Sequence, residues 1–440
     1  MTKWLHSWPA RLLSPAGAAA AASEGLEEAI AAGALAAWVL KAVVGVGALQ
    51  LVKAGAGMAL ERAGVAVPGA LGGMLGVAAL LTVLGEAAAG PLVRFYDSYL
   101  SWTAAMLPLF YVPTLAVVPS LLQDVAGLLG ASAAGTAASL LFAAAVASLL
   151  APKPAASDTP QATNASAAKR SSRQTALLAA TAFAAVAPLV LTKIDPAAFG
   201  QLMAVPVGLA WSVFGFLAGR GVGVNPMLLG AAAANAGVFW HGKLMGWSYG
   251  AAIDAFFGQG AGAGELLTAV LSMALTGLGC VIYKHRRSVS LPAVAVTAIA
   301  AAAFNVASAA GAAHLVPLTD VWCKAFVARG ISTSLAPAVA SSIGASPEHA
   351  AIAVLLQAAV AVVLGSTLLK LFAGNKQAVA GIAAGCTAGG IGAAAVSPGK
   401  PVALANGVLA YGAVHVLSAA MLGVPAIGEA LRAAVAMAAA

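Results

Sequence analysis

Residues 329–337 read RGISTSLAP, and they place one cation, three hydroxyl groups, a glycine and a proline between long apolar runs. Glycine and proline both interrupt helices, so the segment predicts a broken helix within an apolar helical region. An arginine at the centre of a bilayer helix is disfavoured by about 2.5–3.5 kcal/mol, so it normally faces a partner, a cavity or a ligand. Arg329 is therefore the leading site candidate, followed by the hydroxyls of Ser332, Thr333 and Ser334.

The composition of the whole chain is that of a membrane protein. Of its 440 residues, 61% are hydrophobic and only 8% are charged, whereas soluble domains carry about 25% charged residues. A spanning helix needs about 20 mainly apolar residues, and we predict an all-α polytopic membrane protein with about 12 transmembrane segments. Some of these, in the C-terminal half, should be discontinuous or re-entrant helices. The net charge of +8 comes from clusters between apolar runs, which indicates membrane topology rather than binding to nucleic acid.

A second interrupted segment follows later in the chain. The apolar run 378–395 carries five glycines, and the breaker sequence Ser-Pro-Gly follows at 397–399. Paired discontinuous helices are typical of the midplane site of a transporter. Free N–H groups of a broken helix and an arginine fork both bind carboxylates, and hydroxyls such as that of Thr387 suit a hydroxylated ligand. The sequence thus predicts an anion site. In the alternative reading, the hydroxyls bond back to helix carbonyls and Arg329 only anchors a loop.

The polar stretch 152–175 is the clearest boundary in the chain. It combines Pro, Ser, Thr, Asn and Gln with basic residues, and a segment so hydrophilic cannot bury a core, so we predict a solvated linker. It separates a four-helix membrane domain, residues 26–151, from a transport domain, residues 176–440. Residues 1–25 form a basic leader or tail, which fits either a transit-peptide remnant or an interfacial segment.

The sequence has no residue pattern typical of a metal site or an enzyme. The three cysteines form neither a CxxC pair nor a disulfide framework, and the six histidines lack HExxH or paired-ligand spacing. The glycine-rich stretch 258–264 lacks the preceding strand and the GK[ST] ending of a nucleotide-binding loop. We therefore expect no metal, no cofactor and no enzymatic activity. An intramembrane enzyme, which would need a nucleophile with a partnered base, and a structural membrane protein are the alternatives to a carrier.

Several short motifs occur in a fixed order along the chain. They are VPGALGGM at 67–74, LPLFYVPTLAVVP at 107–119, Asn-Pro at 225–226, the string at 329–336 and the glycine-rich string at 380–392. In this order they resemble the plastidal glycolate/glycerate translocator family. Its members join an LrgA-like domain to an LrgB-like domain and are related to the bacterial LrgAB and CidAB holin-like proteins. The resemblance adds Asn225, Gly389 and Gly390 to the candidate substrate-binding residues.

The resemblance implies a carrier that moves glycolate out of the plastid stroma and glycerate in, serving photorespiration, by exchange or co-transport with alternating access. It implies a multi-pass homodimer in the chloroplast inner envelope membrane, with small carboxylates and the lipid bilayer as partners. Proton coupling is the alternative to exchange. The LrgB-like half would carry the site, and the LrgA-like half would be a scaffold or dimer platform. Gly389 stands where the family usually has histidine. The alternative function is a holin-like regulator, or an exporter of small organic acids such as pyruvate.

Overall fold

The structure is a computed structural model, and it describes nine stretches of the chain. These are residues 34–62, 68–116, 126–151, 167–258, 262–315, 319–332, 335–373, 376–396 and 400–423, with a few isolated positions after them. Several predictions lie outside these described residues, namely those for residues 1–25, for the first part of the linker, for Thr333 and Ser334, and for the break at 397–399.

All regular structure within the described stretches is helical, which confirms the predicted all-α class. Besides one 3-10 turn (Ala328–Gly330), the helices are α1 (Ala34–Arg62), α2 (Gly69–Phe110), α3 (Val112–Ala116), α4 (Ala126–Leu150), α5 (Ala167–Ile194), α6 (Pro196–Val222), α7 (Pro226–Met245), α8 (Tyr249–Phe256), α9 (Ala263–Lys284), α10 (Leu291–Leu315), α11 (Asp320–Val327), α12 (Ala336–Ser342), α13 (Pro347–Phe372), α14 (Gln377–Val396) and α15 (Pro401–Gly423). Helix α5 begins inside the predicted linker, because the stretch from Ala167 contains Ala, Lys, Arg and Gln, which are good helix formers.

Eight helical segments in the described stretches are long and apolar enough to cross a membrane. They are Gly69–Asp97, Leu128–Leu150, Ala198–Val222, Ala263–Lys284, Leu291–Ser308, Pro347–Phe372, Gln377–Val396 and Pro401–Ser418. Shorter apolar helices at Val44–Ala59, Trp102–Ala116 and Leu178–Ile194 accompany them. The membrane class is therefore confirmed, whereas the count of about 12 spans stays a prediction.

By their contacts, the residues divide into two compact units, each drawn from three separated stretches of sequence. Unit 1 comprises Met1–Val52, Leu81–Ala116 and Ala155–Gly277, and unit 2 comprises Lys53–Leu80, Val117–Pro154 and Leu278–Ala440. The division into an LrgA-like domain, a linker and an LrgB-like domain stays a prediction.

In unit 1, helices α5, α6 and α7 pack around one tryptophan. The Trp211 indole N–H on α6 donates to the Ala185 carbonyl on α5 at 2.8 Å, so its polar atom is satisfied. The same ring lies against Gly237 on α7, where a Cβ would overlap it.

Asn225 begins α7 by accepting a hydrogen bond from the Met227 N–H at 3.0 Å, which is the usual capping role of asparagine.

In unit 2, the backbones of α14 and α15 run in direct contact. A Cβ on Gly381 would collide with the Ala403 carbonyl, and a Cβ on Gly385 would collide with the Gly407 carbonyl. Glycines four residues apart allow this close approach between membrane helices. Helix α4 packs against α10, α13 and α14. The glycines therefore fix α14 against α15, and both candidate breaks lie in this unit.

Candidate functional site

The first helix break of unit 2 holds Arg329. The 3-10 turn Ala328–Gly330 follows α11, and Ile331 is extended, with φ −104° and ψ 171°, before α12 begins. Gly330 allows this close packing, because a Cβ there would lie only 2.8 Å from the Asn305 amide nitrogen. The break buries a charged side chain within the unit, and Arg329 is only 1% exposed.

The guanidinium of Arg329 has few protein contacts for a buried cation. Its Nη2 donates to the Ser308 hydroxyl at 2.8 Å, and its central carbon lies 5.0 Å from the centre of the Phe326 ring. Within the part of the chain that the structure describes, Nε and Nη1 have no hydrogen-bond partner. Arginine stays protonated in proteins, and a buried cation without a carboxylate is costly. The guanidinium therefore has two nitrogens free to bind an anion.

The second break interrupts α14 near its middle. Ala388 has φ −126° and ψ 19°, and Gly389 has φ 61° and ψ −144°. Glycine suits this position, since side chains disfavour positive φ and a Cβ would lie 3.0 Å from the Tyr411 ring and 3.1 Å from the His415 ring. His415 is itself held on α15, where its Nδ1 lies 2.7 Å from the Tyr411 carbonyl oxygen. The break is thus built into the packing of α14 on α15.

Two side-chain amides bind carbonyls just before the second break. Asn305 on α10 donates from Nδ2 to the Cys386 carbonyl at 3.3 Å. Gln357 on α13 donates from Nε2 to the Thr387 carbonyl. Both amides are buried, and buried carbonyls near a helix interruption need such partners. Helices α10 and α13 therefore hold the end of the first half of α14.

Two side chains also connect the first break with the second. Asn305 lies against Gly330 and bonds α14, as described above. His415 lies beside Gly389 and close to the backbone of Ile331. The two breaks are therefore neighbours in the structure, as the sequence pattern of paired discontinuous helices predicts.

Several polar atoms around these breaks lack partners among the described residues. They are Nε and Nη1 of Arg329, Oδ1 of Asn305, Oε1 of Gln357 and Oγ1 of Thr387. Buried polar groups are normally hydrogen-bonded, so a group of exceptions requires an explanation such as a ligand or water. The guanidinium nitrogens are donors suited to a carboxylate, and the amide oxygens are acceptors suited to a hydroxyl group.

The structure brings together five of the eight predicted site residues in unit 2. Arg329 and Ser332 lie at the first break, and Thr387, Gly389 and Gly390 lie at the second; all five are buried. Thr333 and Ser334 lie outside the described residues. Asn225 belongs to unit 1, where it caps α7. A substrate-binding role for any of the eight stays a prediction.

The sequence analysis missed the polar neighbours of Arg329 and Thr387. These are Ser308, Asn305, Gln357 and His415, and each is a polar residue within a mainly apolar helix. A polar residue within a membrane segment normally faces the bundle interior and indicates a functional position, and this signal was available. In the described stretches, no three His, Cys, Asp or Glu side chains come together as metal ligands, and the side chains of Cys280, Cys323 and Cys386 are buried.

Comparisons with known proteins agree with the motifs. Residues 222–427 match the LrgB-like family. The chain is 26% identical over 409 residues to plastidal glycolate/glycerate translocator 1, chloroplastic, of Arabidopsis thaliana, a match that covers 86% of this chain and 77% of the relative. No solved structure gives a significant match. The resemblance inferred from the motifs is thus confirmed, and the part of the chain that matches the LrgB-like family is residues 222–427.

Proposed function

We propose that this protein is a membrane carrier for small 2-hydroxycarboxylates, with the carboxylate bound by Arg329. The proposal rests on the burial and the incomplete hydrogen bonding of the Arg329 guanidinium. It is 1% exposed, it has one hydrogen bond to a neutral hydroxyl, and two of its nitrogens have no partner in the described part of the chain. A buried cation of this kind is stabilised when an anion binds beside it.

The polar atoms around the guanidinium favour a hydroxylated acid over a simple one. The unpartnered oxygens of Asn305 and Gln357 can accept a hydrogen bond from a hydroxyl group, whereas they would repel a second carboxylate. A 2-hydroxycarboxylate offers one anionic group and one nearby hydroxyl donor. Its chemistry therefore matches the donors and acceptors that surround the two breaks.

The relative supplies the substrates and the membrane for the proposal. It is named a plastidal glycolate/glycerate translocator, and an LrgB-like domain together with apolar helices points to transport rather than catalysis. We infer the same substrates here, with glycolate leaving and glycerate entering the stroma through the plastid inner envelope. Neighbouring helix breaks are a common basis for alternating access, because one helix group moves against another around a fixed site.

Uptake by proteoliposomes tests the proposal. Purified protein is reconstituted into liposomes preloaded with glycerate, and entry of labelled glycolate is measured with and without a pH gradient. We expect glycerate inside to accelerate uptake, and a pH gradient that replaces this effect would indicate proton symport. Unlabelled pyruvate serves as a competitor that lacks the hydroxyl. Competition by pyruvate as strong as by glycerate would favour the small-acid exporter instead.

The role of the guanidinium is tested by Arg329→Ala, with Arg94→Ala as the matched control because Arg94 is exposed on α2. A hydrogen bond to a charged group contributes about 1.5–3 kcal/mol, so we expect the first variant to lose at least about tenfold in glycolate uptake. The control should transport like the wild type. Normal uptake by Arg329→Ala would contradict the proposed binding role.

A further inference from the structure

Helix α4 carries a row of buried hydroxyl groups that are not among the site residues described above. Ser132, Thr136 and Ser139 are 0%, 0% and 2% exposed, and their hydroxyl oxygens have no partner in the stretches that the structure describes. Hydroxyls within helices usually bond back to a carbonyl of the preceding turn, as those of Thr192 and Ser212 do in this chain. The three α4 hydroxyls do not, and so they are available to a ligand.

The same face of α4 contacts the guanidinium of Arg329. A Cβ on Gly135 would lie 3.1 Å from Nη2, 3.2 Å from the central carbon and 3.3 Å from Nε. Successive helix residues are rotated by about 100°, which places Ser132 about 60° and Ser139 about 40° around the helix from Gly135. Each serine lies about one turn from Gly135 along the axis. The row of hydroxyls therefore borders the point where the guanidinium meets α4.

The packing around this contact explains why α4 approaches so closely. Leu128 and Ala131 of α4 form one apolar cluster with Phe326, whose ring lies beside the guanidinium. One turn beyond Ser139, the Phe142 ring stacks on Phe304 of α10 at 4.3 Å between centroids. Because α4 is held on both sides of Gly135, its hydroxyls have fixed positions relative to Arg329.

We propose that α4 forms one wall of the carboxylate site, with Gly135 leaving room beside the guanidinium and with one of the two hydroxyls that flank it, Ser132 or Ser139, binding the substrate hydroxyl. Thr136 extends the same polar face. The inference rests on the proposed function and deepens it, because it names the residues that select a hydroxylated acid. It also places part of the site in residues 126–150, outside the LrgB-like region 222–427. The first half of the chain then takes part in recognition and is more than a scaffold.

Glycolate uptake by Gly135→Ala, compared with Gly130→Ala, tests the wall. Both glycines lie on α4, but a Cβ on Gly130 meets nothing within 4 Å. A methyl group on Gly135 forces the guanidinium to shift by a few tenths of an ångström, and we expect the KM for glycolate to rise by roughly three- to tenfold. Gly130→Ala should keep the wild-type KM. Equal KM values for the two variants, with an active wild type, would refute the proposed role of α4 in the site and would leave the proposed function intact. Absence of uptake by the wild type would overturn both.

A second variant keeps the test decisive if Gly135→Ala fails to fold. The double variant Ser132→Ala, Ser139→Ala removes only two hydroxyl oxygens. Its readout is the selectivity for glycolate over acetate, measured with the two unlabelled acids as competitors for the uptake of labelled glycolate. Losing the hydrogen bond from one of these serines to the substrate hydroxyl should reduce the preference for glycolate by about two- to tenfold. A merely structural role would lower uptake without changing this ratio. An unchanged preference would show that the hydroxyls bind helix carbonyls or water and would refute the proposal.

Discussion

Replacing Arg329 by methionine should abolish glycolate binding without destabilising the protein. Methionine is unbranched and fills irregular apolar gaps, so it can occupy much of the volume of the arginine stem among Phe326 and Gly135. If Arg329 binds substrate, its buried charge serves binding and lowers the free energy of unfolding of the empty protein. If it only anchors the loop before α12, the same substitution removes a stabilising contact.

The structure gives the size of the opposing free-energy terms. Two buried nitrogens lack partners within the described residues, and an unsatisfied buried donor costs about 1–3 kcal/mol, so the variant recovers about 2–6 kcal/mol. It loses the hydrogen bond to Ser308, about 1.5–3 kcal/mol, and the contact with the Phe326 ring, about 0.5–2 kcal/mol. The recovered terms centre on about 4 kcal/mol and the lost terms on about 3.5 kcal/mol, so the net change is close to neutral, as for other buried charges replaced by apolar groups.

Thermal unfolding of the detergent-solubilised protein, with and without glycolate, measures both effects. The variant should unfold close to the wild-type temperature. Glycolate at 100 times its Kd should stabilise the wild type by about 2.7 kcal/mol and leave the variant unchanged, and exposed Arg94→Met is the control that should respond like the wild type. An unfolding temperature several degrees lower in Arg329→Met, together with a normal response to glycolate, would refute the reasoning and make Arg329 a structural anchor.

Two further predictions concern the second break. Gly389→Ala and Gly344→Ala both place a side chain at positive φ, which costs about 1–2 kcal/mol, but only the Gly389 side chain also meets the Tyr411 and His415 rings. We therefore expect Gly389→Ala to unfold at the lower temperature and to lose uptake. Equal unfolding temperatures and uptake in the two variants would contradict the described packing of Gly389 on α15. Gln357→Leu leaves the buried Thr387 carbonyl without its amide donor, which should lower stability by about 1–3 kcal/mol and raise the KM for glycolate, and unchanged melting and uptake kinetics would exclude a role for Gln357 at the break.

The location of the first break could be predicted from local sequence. Gly330 and Pro337 interrupt the helix, and a lone Arg329 in an apolar run must find a special environment. The structure agrees, since the 3-10 turn ends at Gly330 and α12 starts with proline in its first turn. Both signals act over a few residues, so the local sequence was enough to indicate this break.

The form of the second break was less visible in the sequence. The run 378–395 contains five glycines, and composition alone does not tell which of them leaves the helical conformation. Gly381 and Gly385 stay helical and allow contact with α15, whereas Gly389 takes positive φ. The choice depends on Tyr411 and His415 of the neighbouring helix, and helix–helix packing decides it.

The surroundings of Arg329 depend even more on tertiary structure. Gly135 on α4 is far from Arg329 in sequence, since helices α5 to α11 lie between them. Neither helical periodicity nor residue type predicts the contact between Gly135 and Arg329. Asn305 and Gln357 could be identified as unusual polar residues in apolar helices. Their roles as partners of the Cys386 and Thr387 carbonyls follow only from the packing of α10 and α13 on α14.

The distance between the substrate carboxylate and the guanidinium of Arg329 tests the central claim most directly. Solid-state NMR can measure it through the dipolar coupling between the carboxyl carbon of 13C-labelled glycolate and 15N-labelled arginine side chains in reconstituted protein, with Arg329→Lys identifying the signal. Arginine–carboxylate hydrogen bonds have N···O distances of about 2.7–2.9 Å, so we predict a carbon–nitrogen distance below about 4 Å. A coupling that persists unchanged in Arg329→Lys, or glycolate bound without any coupling to arginine, would contradict the account.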